Sequence, residues 1–242
     1  MPEGPFILHL ADQLKPFKGK PVKKAGGYGD MPTAWIKGKK LLDIKTFGKN
    51  LLLVFTNGVV RIHLGLFGDV IINERKKVNR SFFLEFTHGE INGYVVKASK
   101  MDEPLNKIYD WRIDILSKKF DPAFVKKRIM GKSEHTIADL LVDQSIFAGS
   151  GNIIRNEALY RAGIHPRSIA GKIPAVKISK LVRETVIYAK IFYRKLKTSG
   201  ENDLYQVYQQ EHAADGSQVT MEVLQKTKRK VFYSEHRQKL FV

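Results

Sequence analysis

Gln144-Ser-Ile-Phe-Ala-Gly-Ser-Gly-Asn152 joins two predicted helices and organises the second half of this chain. The first helix opens at Thr136–Asp139, where a threonine and an acidic residue three positions later resemble a capping box. The second helix is predicted over Asn152–Ala162, and Gly163 is placed to end it. The connection between the two helices is therefore short and rich in glycine.

The same segment has the properties of a phosphate-binding turn. Gly149 and Gly151 let the backbone turn tightly and approach a partner closely. Asn152 then lies at the start of a helix, where free N–H groups and the helix dipole favour an anion. A plain glycine-containing helix connection with an asparagine cap is an equally good interpretation of this segment alone.

Further elements follow on both sides of this segment. Asp121–Pro122 predicts another helix start, because Asp is a good cap and Pro suits the first helical position. Apolar residues with helical spacing predict a long amphipathic helix over Val176–Leu196. After it, strands are predicted over Leu204–Tyr208, Gln218–Leu224 and Lys230–Tyr233.

The first half of the chain is predicted to be rich in β-strands. Ile7–Leu14 has one apolar helical face, and Asn57–Gly58 between two apolar runs is a strong hairpin signal. The predicted hairpin strands are Leu51–Phe55 with Val59–His63, and Phe82–Phe86 with Tyr94–Val96. We therefore expect an α+β protein with an N-terminal β-sandwich at 1–116, a helical region at 117–200 and a terminal hairpin at 201–242.

Composition narrows the class of protein. The 242 residues include 43% hydrophobic residues, enough for one large or two modest cores. The absence of cysteine excludes disulfides, thiolate metal sites and cysteine nucleophiles. No apolar run reaches membrane-spanning length and no secretory pattern opens the chain, so we expect an intracellular, cytoplasmic protein. The net charge of +18 favours a polyanionic partner, first of all nucleic acid, although membrane-surface binders share such a composition.

The N-terminal residues Met1-Pro2-Glu3-Gly4-Pro5 carry potential covalent chemistry. Removal of Met1 would leave Pro2 with a secondary amine, and an α-amino group has a pKa of about 8. Such an amine can attack an electrophilic sugar carbon, and the neighbouring Glu3 can move protons at the same centre. An ordinary chain terminus is the alternative interpretation.

Two separate motifs resemble one family. The segment from Asp143 to Pro166 resembles the helix–two-turn–helix of the formamidopyrimidine-DNA glycosylase/endonuclease VIII family, and residues 2–5 match the catalytic start of that family. These proteins are bifunctional base-excision repair enzymes. The resemblance implies that Pro2 is the nucleophile, that Glu3 is the proton donor, and that Lys49, in the pattern Lys-x-Leu-Leu, contacts the DNA backbone beside the lesion.

The resemblance assigns DNA-binding roles to further residues. His63 begins a segment similar to the family's gap-filling loop, in which Leu66 and Phe67 would wedge into the base stack. Arg112 matches the arginine that faces the orphaned base, although the aromatic residue expected two positions later is Asp114. Asn152 would contact phosphate. The alternative role for Leu66 and Phe67 is that of buried anchors of the loop. The alternative for Lys49 is an ordinary solvated lysine at a strand end.

The C-terminal segment follows the family's finger hairpin but lacks its cysteines. The four cysteine positions fall on His212, Asp215, Ser234 and Arg237, which do not make a tetrahedral zinc site. We therefore expect a zincless finger held by packing, in which Arg229 takes the role of the phosphate-binding arginine. No metal or organic cofactor is expected.

The resemblance as a whole predicts a monomeric DNA glycosylase and abasic-site lyase that acts on damaged double-stranded DNA at the nucleoid. The short stretch from Thr198 to Tyr208 favours oxidised pyrimidines and ring-opened or hydantoin lesions. Preference for 8-oxoguanine, or for abasic sites only, is one alternative. A non-catalytic DNA-binding relative is another, because Phe6 occupies the place of a second glutamate. A general RNA-binding protein is disfavoured, because no RNA-module signature is found.

Overall fold

A computed structural model describes residues 2–198, 204–224 and 228–242. The chain forms two compact units, Met1–Tyr109 and Asp110–Val242. The predicted α+β class is confirmed, with sandwich-like sheets in the first unit and helices followed by a β-hairpin in the second. The finer division of the second unit into a helical region and a separate finger stays a prediction.

The first unit contains one long helix and two four-stranded antiparallel sheets. Helix α1 spans Gly4–Gln13, and the strands are β1 (Lys24–Gly26), β2 (Asp43–Phe47), β3 (Asn50–Phe55), β4 (Gly58–His63), β5 (Asp69–Ile72), β6 (Phe82–Phe86), β7 (Gly89–Tyr94) and β8 (Lys97–Met101). One sheet has the order β2-β3-β4-β8 and the other β1-β6-β7-β5. The hairpin predicted at Asn57–Gly58 is confirmed, with Phe55 paired to Gly58.

Apolar packing holds this unit together. Ile7 and Leu14 of the α1 segment, Leu53 of the first sheet, and Leu84 and Ile91 of the second sheet are fully buried in one cluster. Full burial of one such side chain contributes about 1.5–3 kcal/mol before the entropy cost of folding. Helix α1 is therefore fixed against the β-sheets, and so is the short segment that precedes it.

The second predicted hairpin, which turns at His88–Gly89, is confirmed, with Phe86 paired to Gly89. The bounds predicted for its second strand, Tyr94–Val96, are wrong. Strand β7 begins at Gly89 and ends at Tyr94, because Val95 adopts a left-handed backbone with φ 54°. Two residues with low strand propensity, Asn92 and Gly93, lie inside β7. The buried Asn92 side chain is satisfied by the Glu74 carbonyl, to which it donates at 2.8 Å. A side chain at Gly93 would collide with Val96, so close packing explains the glycine.

The second unit is mainly helical. After the short helix α2 (Leu105–Ile108), which ends the first unit, the second unit contains the helices α3 (Pro122–Met130), α4 (Ile137–Val142), α5 (Asn152–Ala162) and α6 (Ala175–Thr198). A hairpin of β9 (Thr220–Val223) and β10 (Lys230–Tyr233) follows them. The caps predicted at Asp121 and Thr136 are confirmed. Gly163 ends α5 with φ 71°, as expected for a glycine C-cap. Within the described residues, no helix has the length and apolar character needed to span a bilayer.

The predicted strand at Leu204–Tyr208 is wrong. The backbone N–H groups of Gln206, Val207 and Tyr208 all donate to one carboxylate oxygen of Glu157, at 2.9–3.0 Å. Three consecutive donors that converge on one atom require a curled segment rather than an extended one. This stretch is therefore bound to α5 through its backbone, and Val207 packs against Tyr160 of the same helix.

Candidate functional site

Pro2 and Glu3 lie directly before a rigidly held helix. Glu3 caps α1 with an extended backbone, and its carbonyl accepts from the Ile7 N–H at 3.2 Å. The Glu3 side chain is only 1% exposed, whereas Pro2 is partly exposed. Pro2 and the buried Glu3 carboxylate therefore directly precede a regular element, and a candidate catalytic pair needs such support to have a precise geometry.

Lys49 lies in the two-residue turn between β2 and β3. Gly48 has φ 56° at the first central position, as in a type II′ hairpin turn, and Phe47 pairs with Asn50 across it. The Lys49 side chain is 8% exposed despite its charge. The turn thus holds this lysine against the sheet, unlike an ordinary solvated lysine at a strand end.

The structure brings His63 close to Lys49. Strand pairing sets His63 opposite Asn50, and the ring Nδ1 lies 3.3 Å from the Asn50 Oδ1. The pKa of His63 is lowered, first because the ring is partly removed from water and then because the Lys49 and Arg61 cations disfavour protonation. Lys97 is paired with His63 on the next strand. One end of this sheet therefore carries a concentrated positive charge, which suits a phosphate backbone.

The predicted wedge residues are exposed on a closed loop. Gly68 N–H donates to the Leu64 carbonyl at 2.9 Å, and a side chain at Gly68 would meet that carbonyl at 2.1 Å. Leu66 is 54% exposed and Phe67 is 80% exposed. Two large apolar side chains on a tightly closed loop are not buried anchors, so the alternative interpretation of these residues is wrong.

Arg112 is held by partners in its own unit. Its Nε and Nη2 donate to the Asp110 carboxylate at 2.9 Å each, and its guanidinium carbon lies 3.7 Å from the Phe124 ring centroid. These bonds from Arg112 are the main reason that the pKa of Asp110 is lowered. Asp114 is buried, and its carboxylate accepts from the Leu116 N–H at 2.9 Å. Phe124 is thus the aromatic residue that contacts Arg112, and Asp114 organises the turn.

Asn152 is the first residue of α5, and Gly151 takes the cap position. The side-chain oxygen of Asn152 accepts a hydrogen bond from Arg155, one turn later in the helix. Gly149 has φ 99°, a conformation that favours glycine, and its N–H donates to the Gln144 side chain at 3.0 Å. The connection from Gln144 to Asn152 is therefore a fixed turn that delivers Asn152 to the start of the helix.

Arg229 directly precedes β10 and is partly exposed. Its carbonyl accepts from the Leu224 N–H at 3.0 Å, and the Lys228 N–H donates to the Leu224 carbonyl at 2.9 Å. These bonds close the base of the hairpin loop. Because Arg155 donates to the carbonyl of Lys230 at 3.0 Å, the structure connects the Asn152 and Arg229 regions through one side chain.

Two of the four positions aligned with zinc ligands, Asp215 and Ser234, are joined by hydrogen bonds through Ser217. Ser234 is fully buried, and its hydroxyl lies 2.6 Å from the hydroxyl of Ser217, which in turn contacts Asp215 at 2.5 Å. Arg237 lies 3.9 Å from Asp215, and His212 is exposed. Among the described residues, no group of three His, Cys, Asp or Glu side chains could hold a metal. These residues do not fit a zinc ion, and hydrogen bonds hold the hairpin in addition to packing.

Sequence reasoning missed a run of three buried polar residues on α5. Arg155, Asn156 and Glu157 are each 0% exposed. Asn156 accepts from the Phe232 N–H at 2.8 Å, and Glu157 accepts the three N–H groups of residues 206–208. Polar residues inside an amphipathic helix normally indicate its solvent face. The signal in the sequence was that the polar and apolar residues of α5 are not segregated onto separate faces, so the helix has no clear apolar stripe.

Comparison with known proteins agrees with this architecture. The family model described as "Formamidopyrimidine-DNA glycosylase H2TH domain" matches residues 113–198. "Endonuclease 8-like 3" of Mus musculus is 29% identical over 163 residues, covering 64% of this chain and 27% of that protein. "Formamidopyrimidine-DNA glycosylase" of Solibacter usitatus is 28% identical over 198 residues, covering 75% of this chain and 73% of that protein.

A solved structure shows that the fold is shared over nearly the whole chain. The Lactococcus lactis formamidopyrimidine-DNA glycosylase, non-covalently bound to DNA with an abasic site, has a TM-score of 0.86 at 18% identity. The match covers 98% of this chain and 99% of that one. This chain spans only about a third or less of the Endonuclease 8-like 3 relatives. The matched domain and the relatives show that the chain belongs to the formamidopyrimidine-DNA glycosylase/endonuclease VIII family.

Proposed function

We propose that this protein is a bifunctional DNA glycosylase and abasic-site lyase that excises oxidised bases from double-stranded DNA. The observation that carries the proposal is the pairing of Pro2 with the buried Glu3 at the start of a helix fixed in the sandwich core. A terminal secondary amine beside a carboxylate supplies a nucleophile and a proton donor at one place. Family membership supports the reaction class.

In the proposed reaction, the Pro2 nitrogen attacks C1′ of the damaged nucleotide. The bond from C1′ to the base breaks, and Glu3 supplies the proton that the leaving base takes up. The amine loses its proton, and O4′ takes up a proton as the C1′–O4′ bond of the sugar ring opens, which leaves an iminium between Pro2 and C1′. This iminium withdraws electrons, so that a C2′ proton is lost and the 3′ phosphate leaves by β-elimination. A second elimination releases the 5′ phosphate, and water then hydrolyses the imine to free Pro2. No external oxidant or reductant is needed.

Side chains from both units are proposed to hold the DNA. Lys49 and His63 lie together at the positive end of one sheet and suit phosphates beside the lesion. Leu66 and Phe67 are exposed on a closed loop and suit insertion where the damaged base has left the stack. In the second unit, Asn152 and Arg229 are proposed to contact phosphate, and Arg112 the unpaired base. The protein is proposed to act as a monomer that binds one duplex of damaged DNA.

The proposed substrates are oxidised pyrimidines and ring-opened or hydantoin bases. The support is the shortness of the stretch from Thr198 to Tyr208, part of which lies outside the described residues. Residues 206–208 of this stretch are bound to Glu157 of α5 through their backbone N–H groups. An enzyme that prefers 8-oxoguanine, or one that acts on abasic sites alone, would still use the Pro2 imine. A DNA-binding relative without catalysis would not form this imine.

Borohydride trapping tests the proposal. Protein whose mass shows that Met1 is removed is incubated with duplexes that contain dihydrouracil, 8-oxoguanine or an abasic site. We expect a covalent adduct on the dihydrouracil duplex, located on the N-terminal peptide by mass spectrometry. A matched control chain with a short extension before Pro2 should bind DNA but form no adduct, because its proline nitrogen is an amide. Glu3→Gln should greatly slow base release.

Each other outcome identifies an alternative. An adduct only on the abasic duplex would leave a lyase without glycosylase activity, and a stronger adduct on 8-oxoguanine would reverse the substrate preference. If the processed protein binds every duplex and forms no adduct, the enzyme proposal is wrong and a DNA-binding relative remains. The departure at Phe6 makes this last outcome important to test.

A further inference from the structure

Arg155 is a charged side chain with no contact to solvent. It is 0% exposed and is among the largest fully buried side chains of the described residues. A guanidinium cannot lose its proton at any pH that proteins tolerate, so its burial is costly unless hydrogen bonds compensate. Its partners therefore indicate what the burial achieves.

Two of these partners belong to different segments of the second unit. Arg155 Nη2 donates to the side-chain oxygen of Asn152 and to the backbone carbonyl of Lys230, the latter at 3.0 Å. Lys230 is paired with Val223 in the hairpin, so this carbonyl is a fixed anchor. The guanidinium is thus held by the hairpin on one side and bound to Asn152 on the other.

The bond to Arg155 determines which end of the Asn152 amide is available. An asparagine side chain has an accepting oxygen and a donating NH2 group. Because the oxygen is bound to Arg155, the NH2 group is directed away from the guanidinium. A DNA phosphate offers only acceptors, so it can bind the NH2 group and would be repelled by the oxygen. One buried contact therefore selects the amide orientation that suits an anion.

We propose that Arg155 is a positioning residue that fixes the Asn152 amide with its donors toward the DNA phosphate. This inference rests on the proposed function, since Asn152 is assigned to DNA there. Arg155 does not itself touch DNA, because it is buried, and it acts through Asn152. The hairpin contributes by anchoring Arg155 through the Lys230 carbonyl.

Asn156 provides a matched control. It is equally buried and also ties α5 to the hairpin, accepting from the Phe232 N–H at 2.8 Å. Its amide donates to the Asn152 backbone carbonyl at 2.7 Å rather than to the Asn152 side chain. Asn156→Ala therefore loosens the same contact between helix and hairpin without releasing the Asn152 amide.

The test is a double-mutant cycle on the full chain. Dissociation constants are measured at one salt concentration for a duplex with a tetrahydrofuran abasic analogue, and thermal melting shows that each variant is folded. Arg155→Met should weaken binding about tenfold in the parent chain but less than about twofold when Asn152→Ala is already present. Asn156→Ala should weaken binding less than about threefold in the parent chain. Arg155→Lys takes the place of Arg155→Met in the cycle if the methionine variant does not fold.

The outcomes separate this inference from the proposed function. Equal losses from Arg155→Met in both backgrounds, or an equal loss from Asn156→Ala, would show that Arg155 is only structural and would overturn the inference alone. If Asn152→Ala binds the duplex as tightly as the parent chain, the phosphate role of Asn152 is wrong and the inference falls with it. Retention of trapping by Asn152→Ala in that case would leave the proposed chemistry at Pro2 standing.

Discussion

The two units hold their candidate functional residues by different means. In the first unit, α1 and both sheets share one apolar cluster, and Pro2, Glu3 and Lys49 lie directly beside elements that contribute to this cluster. In the second unit, α5 is bound to the hairpin and to residues 206–208 by the fully buried Arg155, Asn156 and Glu157. Apolar packing tolerates small shifts, whereas hydrogen bonds fix both distance and direction.

This difference suits what each unit is proposed to position. The proposed nucleophile Pro2 needs a stable platform, and burial of large apolar side chains provides one. The Asn152 amide, proposed to present its donors to a phosphate, needs a defined orientation, which directional partners provide. The contrast also predicts that the two units respond differently to substitution, because a lost apolar group leaves a cavity and a lost polar partner leaves unpaired buried groups.

The largest effect is expected at Glu157. Glu157→Ala leaves the N–H groups of residues 206–208 without their common acceptor and should lower the free energy of unfolding by about 4 kcal/mol. Glu157→Gln keeps an accepting oxygen and should cost only about 1 kcal/mol. Urea denaturation of both variants measures the difference. Similar losses in the two variants would show that the negative charge, rather than the three hydrogen bonds, stabilises this segment.

A smaller effect is expected in the apolar unit. Leu53 of β3 is 0% exposed in the core cluster, and Leu53→Ala should lower the free energy of unfolding by about 3 kcal/mol. Leu53→Met conserves most of the volume and should cost less than about 1.5 kcal/mol. The same urea experiment applies. A loss from Leu53→Ala larger than that from Glu157→Ala would reverse the comparison between the units.

The sequence predicts the parts of the fold that depend on local signals. The Asn57–Gly58 hairpin, the caps at Asp121 and Thr136, and the end of α5 at Gly163 are all confirmed. The register of the β3–β4 hairpin sets His63 opposite Asn50, and Lys49 directly precedes Asn50 in the turn from β2, so Lys49 and His63 lie close together. These features depend on residues a few positions apart, where turn geometry and capping dominate.

The failures arise where distant residues decide the local conformation. Leu204–Tyr208 has the composition of a strand, but a carboxylate about 50 positions earlier curls it. The strand predicted at Tyr94–Val96 lies instead at Gly89–Tyr94, where the buried Asn92 side chain is satisfied by the Glu74 carbonyl, 18 positions earlier. The buried Arg155 donates to the Lys230 carbonyl, 75 positions away, and the missing apolar stripe of α5 does not identify that partner. The roles of the candidate residues in binding and catalysis stay predictions.

The smallest effect concerns pH and the packing of the hairpin. His165 is 8% exposed, its ring packs edge-on against Tyr233 at 4.3 Å, and its Nδ1 accepts from the Arg167 N–H at 3.2 Å. Burial lowers the pKa of His165 in the folded protein, with the Arg167 cation acting in the same direction and the Glu222 and Glu235 carboxylates opposing it. The unfolded chain therefore takes up this proton more readily than the folded chain.

Because the unfolded state binds the proton first, stability is lost as pH falls below about 6.5, the ordinary value for histidine. The urea midpoint should fall between pH 7.5 and pH 5 more steeply in the parent chain than in His165→Phe, which keeps a ring against Tyr233 but cannot be protonated. The exposed His236→Gln variant is the matched control and should follow the parent chain. Parallel pH profiles for the parent and His165→Phe would show that the hairpin does not sense this proton. A steeper fall of the urea midpoint in the parent chain would show that the neutral imidazole of His165 stabilises the hairpin, in addition to the hydrogen bonds between the hairpin and α5.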